Sequence, residues 1–254
     1  MHEEKHWNTI APSYEDEIFD VFKSDKQGKL QDYFNIYADD SHTAIDFGCG
    51  VGKAFEYIAP KFKKVLATDI SGECLEIAKK KGYKNISYKQ ADLTNPKISF
   101  PKADFGVCVN VAILPEIEKN YTIIKNVKKS LHVEGSAIFV IPSLESSLFS
   151  SWRLIDWYKR ERKSPSKIPA SELAYFDGSK TDIVQGKIKI NGVVTKHYTS
   201  SEIEVVFKEA GFTVISIEKW AADEFRSVNG QIEWMLNNSL KEAKRLKAKP
   251  VQKK

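Results

Sequence analysis

A glycine-rich segment near residue 48 is the part of this chain best suited to chemistry. Gly48, Gly50 and Gly52 follow Asp46 at the end of a short apolar run. Glycine is required where the backbone takes a positive φ or passes within contact distance of a ligand, and the amides that open the next helix can hold an anionic group. The segment therefore predicts a loop that binds a cofactor.

Two further acidic residues stand at comparable places downstream. Asp69 follows the apolar run 65–68, and Asp92 follows the run 86–90. In dinucleotide-binding folds, a carboxylate roughly 20 residues beyond the loop accepts hydrogen bonds from the ribose hydroxyls. Three acids in register with three glycines indicate a nucleoside-bearing cofactor, although an acid after a strand is also a common helix N-cap. Lys53 occupies the place of the third glycine in G-x-G-x-x-G, which argues against a dinucleotide.

These motifs lie on a repeating pattern of strands and helices. Short apolar runs predict strands at 44–47, 64–68, 86–90, 105–110 and 136–141. Helical spacing predicts helices at 53–62, 72–81 and 117–131, with Ser71 as an N-cap and Gly82 as a C′ residue. The alternation predicts an α/β fold with a doubly wound, mostly parallel sheet, whose ligands bind beyond the carboxyl ends of the strands.

The stretches 46–52, 67–71 and 91–93 resemble successive motifs of the class I S-adenosylmethionine-dependent methyltransferases. The spacing from Gly48 to Asp69 to Asp92 is similar to that family as well. The N-terminal stretch 7–14 and the later stretches 198–203 and 209–212 resemble its small-molecule branch. The resemblance covers about residues 5–142 and 196–220 and leaves the insertion and the C-terminus unexplained.

The resemblance implies a Rossmann-like methyltransferase fold and a role for each motif. Asp46 would lie near the α-ammonium group of S-adenosyl-L-methionine, Asp69 would accept the ribose hydroxyls, and Asp92 the adenine N6 amine. Tyr14 would belong to an N-terminal lid. Apart from the resemblance, Cys49 is expected to be a small buried filler and not a nucleophile, because no histidine is near it in the sequence. The implied cofactor-binding residues are Asp46, Gly48, Cys49, Gly50, Gly52, Asp69, Ile70, Asp92, Leu93 and Asn110. The product would be S-adenosyl-L-homocysteine, and no metal is implied.

Methyl transfer from a sulfonium is an in-line displacement in which positioning supplies most of the acceleration. A general base is needed only if the acceptor must lose a proton during attack. His197 and Tyr198 are the best candidates because they stand where the insertion rejoins the α/β domain, and Tyr14 completes the catalytic set. The alternative is that His197 is a solvent-facing strand residue and that Tyr198 packs.

The region 143–195 breaks the strand and helix rhythm. Asn191-Gly192 between two alternating runs predicts a hairpin over 186–198. We therefore expect a cap insertion over 143–195 after the fifth strand, and an α/β domain made of 1–142 and 196–240. The cap is the expected source of substrate contacts, with Trp152, Trp157 and Arg153 as candidates. Alternatively, these aromatic residues form the apolar stripe of one cap helix, with basic residues at its solvated end.

The C-terminal part departs from the family pattern. Residues 200–210 predict a helix and 212–220 a strand, followed by a helix over 231–246. Class I methyltransferases usually close the sheet with a seventh, antiparallel strand near the C-terminus. By the sequence pattern, that last strand is missing, is displaced, or comes from a stretch that we assign to another element.

Composition limits the remaining classes. With 42% hydrophobic and 29% charged residues the chain is typical of soluble globular proteins, and no apolar run approaches the roughly 18 residues of a membrane helix. Cys49, Cys74 and Cys108 form no CxxC pair or ligand cluster, so neither zinc nor disulfides are expected. The net charge of +5 arises in 241–254, where seven Lys or Arg accompany one acid, and the rest sums to −1. We expect a cytoplasmic protein with a small-molecule partner, no membrane partner and no nucleic acid as main partner, and a frayed basic tail at 241–254.

Three other functions stay open from the sequence. One is a methyltransferase of RNA or protein that uses the basic tail, although the stretch 110–115 lacks the Asn/Asp-Pro-Pro-Tyr/Phe pattern of base or amide methylation. The second is a non-catalytic module that binds S-adenosylmethionine. The third, a nicotinamide oxidoreductase, would bind NAD and have no affinity for S-adenosylhomocysteine.

Overall fold

The computed structural model describes residues 2–14, 18, 20–168, 182, 184–190, 193–220 and 231–237. The strands are β1 (Asp39–Phe47), β2 (Phe62–Asp69), β3 (Ile86–Gln90), β4 (Ala103–Val109), β5 (Leu131–Pro142), β6 (Lys187–Ile190), β7 (Val193–Lys196), β8 (Thr213–Trp220) and β9 (Gln231–Asn237). The α-helices are α1 (His2–Ile10), α2 (Val21–Ser24), α3 (Lys29–Ile36), α4 (Phe55–Ile58), α5 (Gly72–Lys79), α6 (Ile117–Lys129), α7 (Leu144–Arg160) and α8 (Ser200–Glu209). Short 3-10 turns lie at Ala11–Ser13, Ala59–Lys61 and Pro165–Lys167.

A seven-stranded sheet forms the centre, in the order β3-β2-β1-β4-β5-β9-β8. The first five strands are parallel, and β9 runs antiparallel to both of its neighbours. The predicted doubly wound α/β fold is confirmed. The chain order reverses between β1 and β4, and at such a switch point the loops after the strands leave a crevice for ligands. The glycine loop follows β1, so the topology places it there.

Apolar side chains cover both faces of the sheet, which is why its strands read as nearly continuous apolar runs. One cluster includes Phe139, Phe207 and Phe212, whose rings pack edge to face or tilted against one another. The opposite cluster includes Phe62 and Phe105, stacked with their ring centroids 5.1 Å apart. The two clusters hold the strands in the register that aligns their carboxyl ends.

Several local signals read from the sequence are confirmed. The Ser71 hydroxyl caps α5 by accepting from the Cys74 amide at 3.0 Å, and Gly82 after that helix has a φ of +74°. The hairpin β6-β7 forms with Ile190 opposite Val193, while its turn at 191–192 lies outside the described residues. The predicted helix 53–62 is shorter, because Pro60 falls in the 3-10 turn that follows α4 and precedes β2.

The helix predicted over 231–246 is wrong for its first half. Residues 231–237 form β9, which pairs with β5 on one side and β8 on the other and supplies the antiparallel strand that the sequence reading left unassigned. In the stretch Gln-Ile-Glu-Trp-Met-Leu-Asn, large apolar residues recur at every second position, as in a strand. Backbone pairing with two distant strands outweighs the helical propensity of these residues. Residues 238–246 and the basic tail lie outside the described residues.

The proposed cap region contains α7, the 3-10 turn after it and the β6-β7 hairpin. Within the described ranges, no helix is long and apolar enough to cross a membrane. Cys49, Cys74 and Cys108 are buried free thiols. The described part of the chain also holds no cluster of three His, Cys, Asp or Glu side chains suited to a metal ion.

Candidate active site

The loop after β1 takes a backbone course that requires glycine. Gly48, Gly50 and Gly52 have φ values of +71°, +53° and +79°. At Gly50 the space is closed as well, because a Cβ atom there would lie 2.5 Å from the phenolic oxygen of Tyr14. Gly50 is therefore required both by its conformation and by the side chain above it.

Backbone amides of this loop bind the end of β2. The N–H groups of Gly48 and Cys49 both donate to the carbonyl of Thr68 at 2.8 Å. Asp69 accepts from the Gly50 amide through Oδ2 and from the Ser71 amide through Oδ1, each at 2.8 Å. Burial raises the pKa of Asp69, and these amide donors oppose that rise by stabilising its charged form. The first two predicted motifs thus form one continuous site.

Two buried oxygens at the switch point lack a hydrogen-bond donor among the described residues. They are Oδ2 of Asp46, a residue that is only 3% exposed, and Oδ1 of Asn110. Asp46 lies near the end of β1 and Asn110 directly after the neighbouring β4, with a left-handed φ of +56°. Burial, followed by the charge of Asp69, raises the pKa of Asp46 to about 8. Two unsatisfied acceptors in such a place suit a ligand that carries N–H donors, such as an ammonium group.

The N-terminal residues cover this loop. Tyr14 lies above Gly50, and Lys53 stands 5.5 Å from the centre of its ring while pairing with Asp20 at 3.0 Å. Burial, with the nearby charge of Asp69, raises the pKa of Tyr14, so its phenol is neutral. Tyr14 therefore covers Gly50, and its role as a lid residue stays a prediction.

Helix α1 is held against the carboxyl ends of β2 and β3. The Asn8 side chain accepts from the Ser71 hydroxyl at 2.6 Å. Gln90 donates through its amide to Glu4 and to the Ile70 carbonyl, both at 3.0 Å. These contacts were missed at the sequence level, because polar residues 63 to 86 positions apart give no local signal of contact.

The predicted adenine-binding residues follow the carboxyl ends of β2 and β3. Ile70 is partly exposed just after β2, and Leu93 is buried. Asp92 is exposed, and its Oδ1 accepts from the amide and the hydroxyl of Thr94 at 2.8 and 2.6 Å. Asp92 therefore performs the turn role considered as the alternative, and its binding role stays a prediction. Cys49 is buried and burial raises the pKa of its thiol, which agrees with a filler and not a nucleophile.

Tyr198 and His197 are buried together beside the loop after β4. The Tyr198 hydroxyl donates to the Ala112 carbonyl at 2.7 Å, so the phenol packs and anchors that loop. His197 is also buried and is not solvent-facing, and burial lowers its pKa to about 4. Its Nε2 has no hydrogen-bond partner among the described residues. The imidazole is thus neutral and able to accept a proton, but only weakly.

Lys196 is a buried residue that the sequence reading missed. Its ammonium donates to Glu202 and to the His197 carbonyl, both at 2.7 Å, and lies 4.2 Å from the centre of the Tyr198 ring. Its backbone amide donates to the Ile113 carbonyl at 2.8 Å. Lysine normally predicts exposure, and the partners that its ammonium group finds in Glu202, the His197 carbonyl and the Tyr198 ring explain its burial.

The substrate candidates of the cap lie on α7. Trp152 and Trp157 are exposed, and Arg153 approaches Asp156 at 4.0 Å. Trp152 stacks on Phe149 and Trp157 contacts Tyr158 edge to face, so these rings pack along the helix surface. Their role toward a substrate stays a prediction.

Comparison with known proteins agrees with this geometry. Residues 45–139 match the sequence profile of a family described as a methyltransferase domain. No curated protein sequence gives a significant match. Among solved structures, a SAM-dependent methyltransferase from Anabaena variabilis superposes with a TM-score of 0.61 at 16% identity, covering 92% of this chain and 93% of that one.

Two further structures show the same fold. The N-methyltransferase NodS from Bradyrhizobium japonicum, in complex with S-adenosylhomocysteine, gives a TM-score of 0.57 at 13% identity over 92% of this chain and 97% of that one. The magnesium protoporphyrin IX methyltransferase from Synechocystis, also with S-adenosylhomocysteine bound, gives 0.60 at 14% identity over 94% and 99%. The fold is therefore shared along nearly the whole of each chain.

Proposed function

Because this chain is a class I S-adenosylmethionine-dependent methyltransferase, we propose that it methylates a small-molecule acceptor bound at the carboxyl edge of the sheet. The observation that carries the cofactor assignment is the pair of buried acceptors without donors, Asp46 Oδ2 and Asn110 Oδ1. An α-ammonium group satisfies such acceptors, and it is the cationic end of the methionyl moiety.

The residues present fit the rest of the cofactor. Asp69 already directs both carboxylate oxygens toward the loop and the start of α5, and each oxygen has a further lone pair for a ribose hydroxyl. Ile70 offers an apolar surface for the adenine ring, and Tyr14 covers the loop and excludes water from it. When bound, S-adenosylmethionine supplies an electrophilic methyl group whose bond to sulfur breaks as the acceptor attacks.

The protein contributes mainly positioning to this reaction. Asn110 and the loop after it are held by Tyr198 and Lys196 through the carbonyls of Ala112 and Ile113. His197 is our candidate base because its Nε2 lacks a partner among the described residues, but a pKa of about 4 makes it a weak one. An acceptor that is already a nucleophile at neutral pH fits this site best.

A small-molecule acceptor is supported by the neighbours in fold and by the cap. Two of these neighbours are an N-methyltransferase and a magnesium protoporphyrin IX methyltransferase. The region 143–195 follows β5 and so starts from the edge of the sheet that carries Asn110. We propose that it forms a cap over the acceptor.

Calorimetry tests the cofactor assignment directly. We expect S-adenosylhomocysteine to bind and NAD not to bind. Asp69→Ala should abolish measurable binding, because the ribose hydroxyls lose their acceptor and the loop loses the Gly50 contact. Asp39→Ala, at the opposite end of β1, is the matched control and should bind as the wild type does. Unchanged affinity in Asp69→Ala would contradict the assignment.

The acceptor is found by incubating the protein and labelled S-adenosylmethionine with a fractionated cell extract, followed by mass spectrometry of the labelled product. A labelled small molecule supports the proposal. Label only in protein or RNA indicates a macromolecular acceptor, and cofactor binding without any transfer indicates a non-catalytic module.

A further inference from the structure

Helix α7 exposes three large apolar side chains close together. Leu148, Phe149 and Trp152 are 49%, 59% and 54% exposed. The rings of Phe149 and Trp152 stack with centroids 5.8 Å apart, so the three side chains form one patch, which we call the α7 patch. The same helix buries Leu144 and Ser147 in its first turn. A contiguous apolar patch of this kind marks an interaction surface more often than a scatter of single residues does.

Basic residues lie beyond the C-terminal end of the α7 patch. Lys159 follows Leu148 by three helical turns and Trp152 by two, and is therefore on the same face. The acidic group in between, Asp156, is neutralised by Arg160 at 2.8 Å. Residues 144–167 carry six basic side chains, Arg153, Lys159, Arg160, Arg162, Lys163 and Lys167, against three acidic ones, Glu145, Asp156 and Glu161.

We propose that the α7 patch docks on an anionic lipid surface. Phe, Leu and Trp on one face of a helix, with Lys and Arg at its margin, are the composition of helices that lie in the membrane interface. The complementary charge lies beyond the C-terminal end of the patch, in the excess of basic over acidic side chains along residues 144–167.

This mode of binding differs from the one that the sequence reading excluded. A spanning helix needs roughly 20 apolar residues, and α7 has 17 residues with a polar side. A helix that lies parallel to the surface needs only one apolar face. Peripheral contact of this kind departs from the expectation of no membrane partner.

The partner surface is tested with the full chain and two kinds of vesicle. We expect the protein to sediment with vesicles of phosphatidylcholine and phosphatidylglycerol, and much less with vesicles of phosphatidylcholine alone. Binding should weaken as salt rises from about 0.1 M to 1 M, because the shorter screening length removes the electrostatic contribution. Equal binding to both kinds of vesicle would contradict an anionic partner.

Two variants assign the binding to the α7 patch. Phe149→Gln with Trp152→Gln should lower the vesicle partition coefficient about tenfold or more, because two large apolar groups leave the interface. Val205→Gln on α8 removes a comparably exposed apolar residue, 56% exposed, and should leave partitioning unchanged. Both variants should retain their affinity for S-adenosylhomocysteine, which shows that the fold is intact.

The remaining outcomes overturn the proposal. Unchanged partitioning in the double variant, together with its loss on truncation after Asn238, would assign the binding to the basic tail alone. Absence of vesicle binding, with a dimer that the double variant dissociates in sedimentation velocity, would identify the α7 patch as a contact between two copies of this chain.

Discussion

Binding of S-adenosylhomocysteine should release a proton from Asp46. The carboxyl group is buried against Asp69 with one oxygen lacking a donor, and its pKa is raised to about 8. The ionisable groups closest to it are Asp69, Tyr14, Cys49 and Cys108, and burial raises the pKa of each. None of them supplies a positive charge, so the carboxyl of the free protein is protonated at neutral pH. A bound ammonium group supplies that charge and favours the carboxylate.

The size of the effect follows from the pKa. With a pKa of about 8, about nine in ten molecules carry the proton at pH 7, so about 0.9 proton should leave per ligand bound. Binding requires the deprotonated Asp46 carboxylate, so the affinity for the ligand falls as the pH drops below the raised pKa. The apparent affinity should therefore rise about tenfold between pH 6 and pH 7. The rise should level off above about pH 8, where the Asp46 carboxyl is already deprotonated in the free protein.

Titration calorimetry at pH 7 in buffers with different ionisation enthalpies measures the released protons. Asp46→Asn is isosteric and cannot ionise, so we expect weaker binding, no proton release from this group and no rise in affinity between pH 6 and pH 7. Proton release that persists in Asp46→Asn, or none in the wild type, would refute the reasoning.

Two further perturbations follow from the contacts. Gly50→Ala should lower the affinity for S-adenosylhomocysteine at least tenfold in calorimetry, because the added Cβ meets Tyr14. Gly82 has a similar positive φ but no atom within 4 Å of an added Cβ. Gly82→Ala should therefore lower only the free energy of unfolding in urea, by about 1 kcal/mol. Equal affinities in the two variants would contradict a steric role for Tyr14. Asn120→Ala should lower the free energy of unfolding by about 1–3 kcal/mol, because the buried side chain accepts from and donates to the backbone of Leu114. A loss below about 0.5 kcal/mol in urea titration would show that water replaces both bonds.

The cofactor loop was readable from the sequence because its determinants are local. Gly48 and Gly50 require a positive φ, and the Ser71 cap and the turn at Gly82 each depend on neighbours a few residues away. Asp69 could be placed as well, since carboxyl ends of parallel strands share one edge.

The features that the sequence did not predict depend on long-range contacts. Residues 231–237 form a strand because β5 and β8 supply backbone hydrogen-bond partners along both of its edges. Lys196 is different, because its burial depends on nearby partners, Glu202 and the Tyr198 ring, although a lysine by itself predicts exposure. The contact of Asn8 with Ser71 is set by the packing of α1 and not by residue spacing.

The position of β9 means that the central sheet cannot form fully until residues 231–237 are available. It is the last strand along the described chain, yet it lies inside the sheet, between β5 and β8. Until residues 231–237 have been synthesised and paired, the edge of β5 around Phe139 and Val140 has no partner on that side. An apolar strand with an open edge is a template for association with other chains. A nascent or truncated chain that ends before Gln231 should therefore depend on chaperones, although every residue of the cofactor loop is already present.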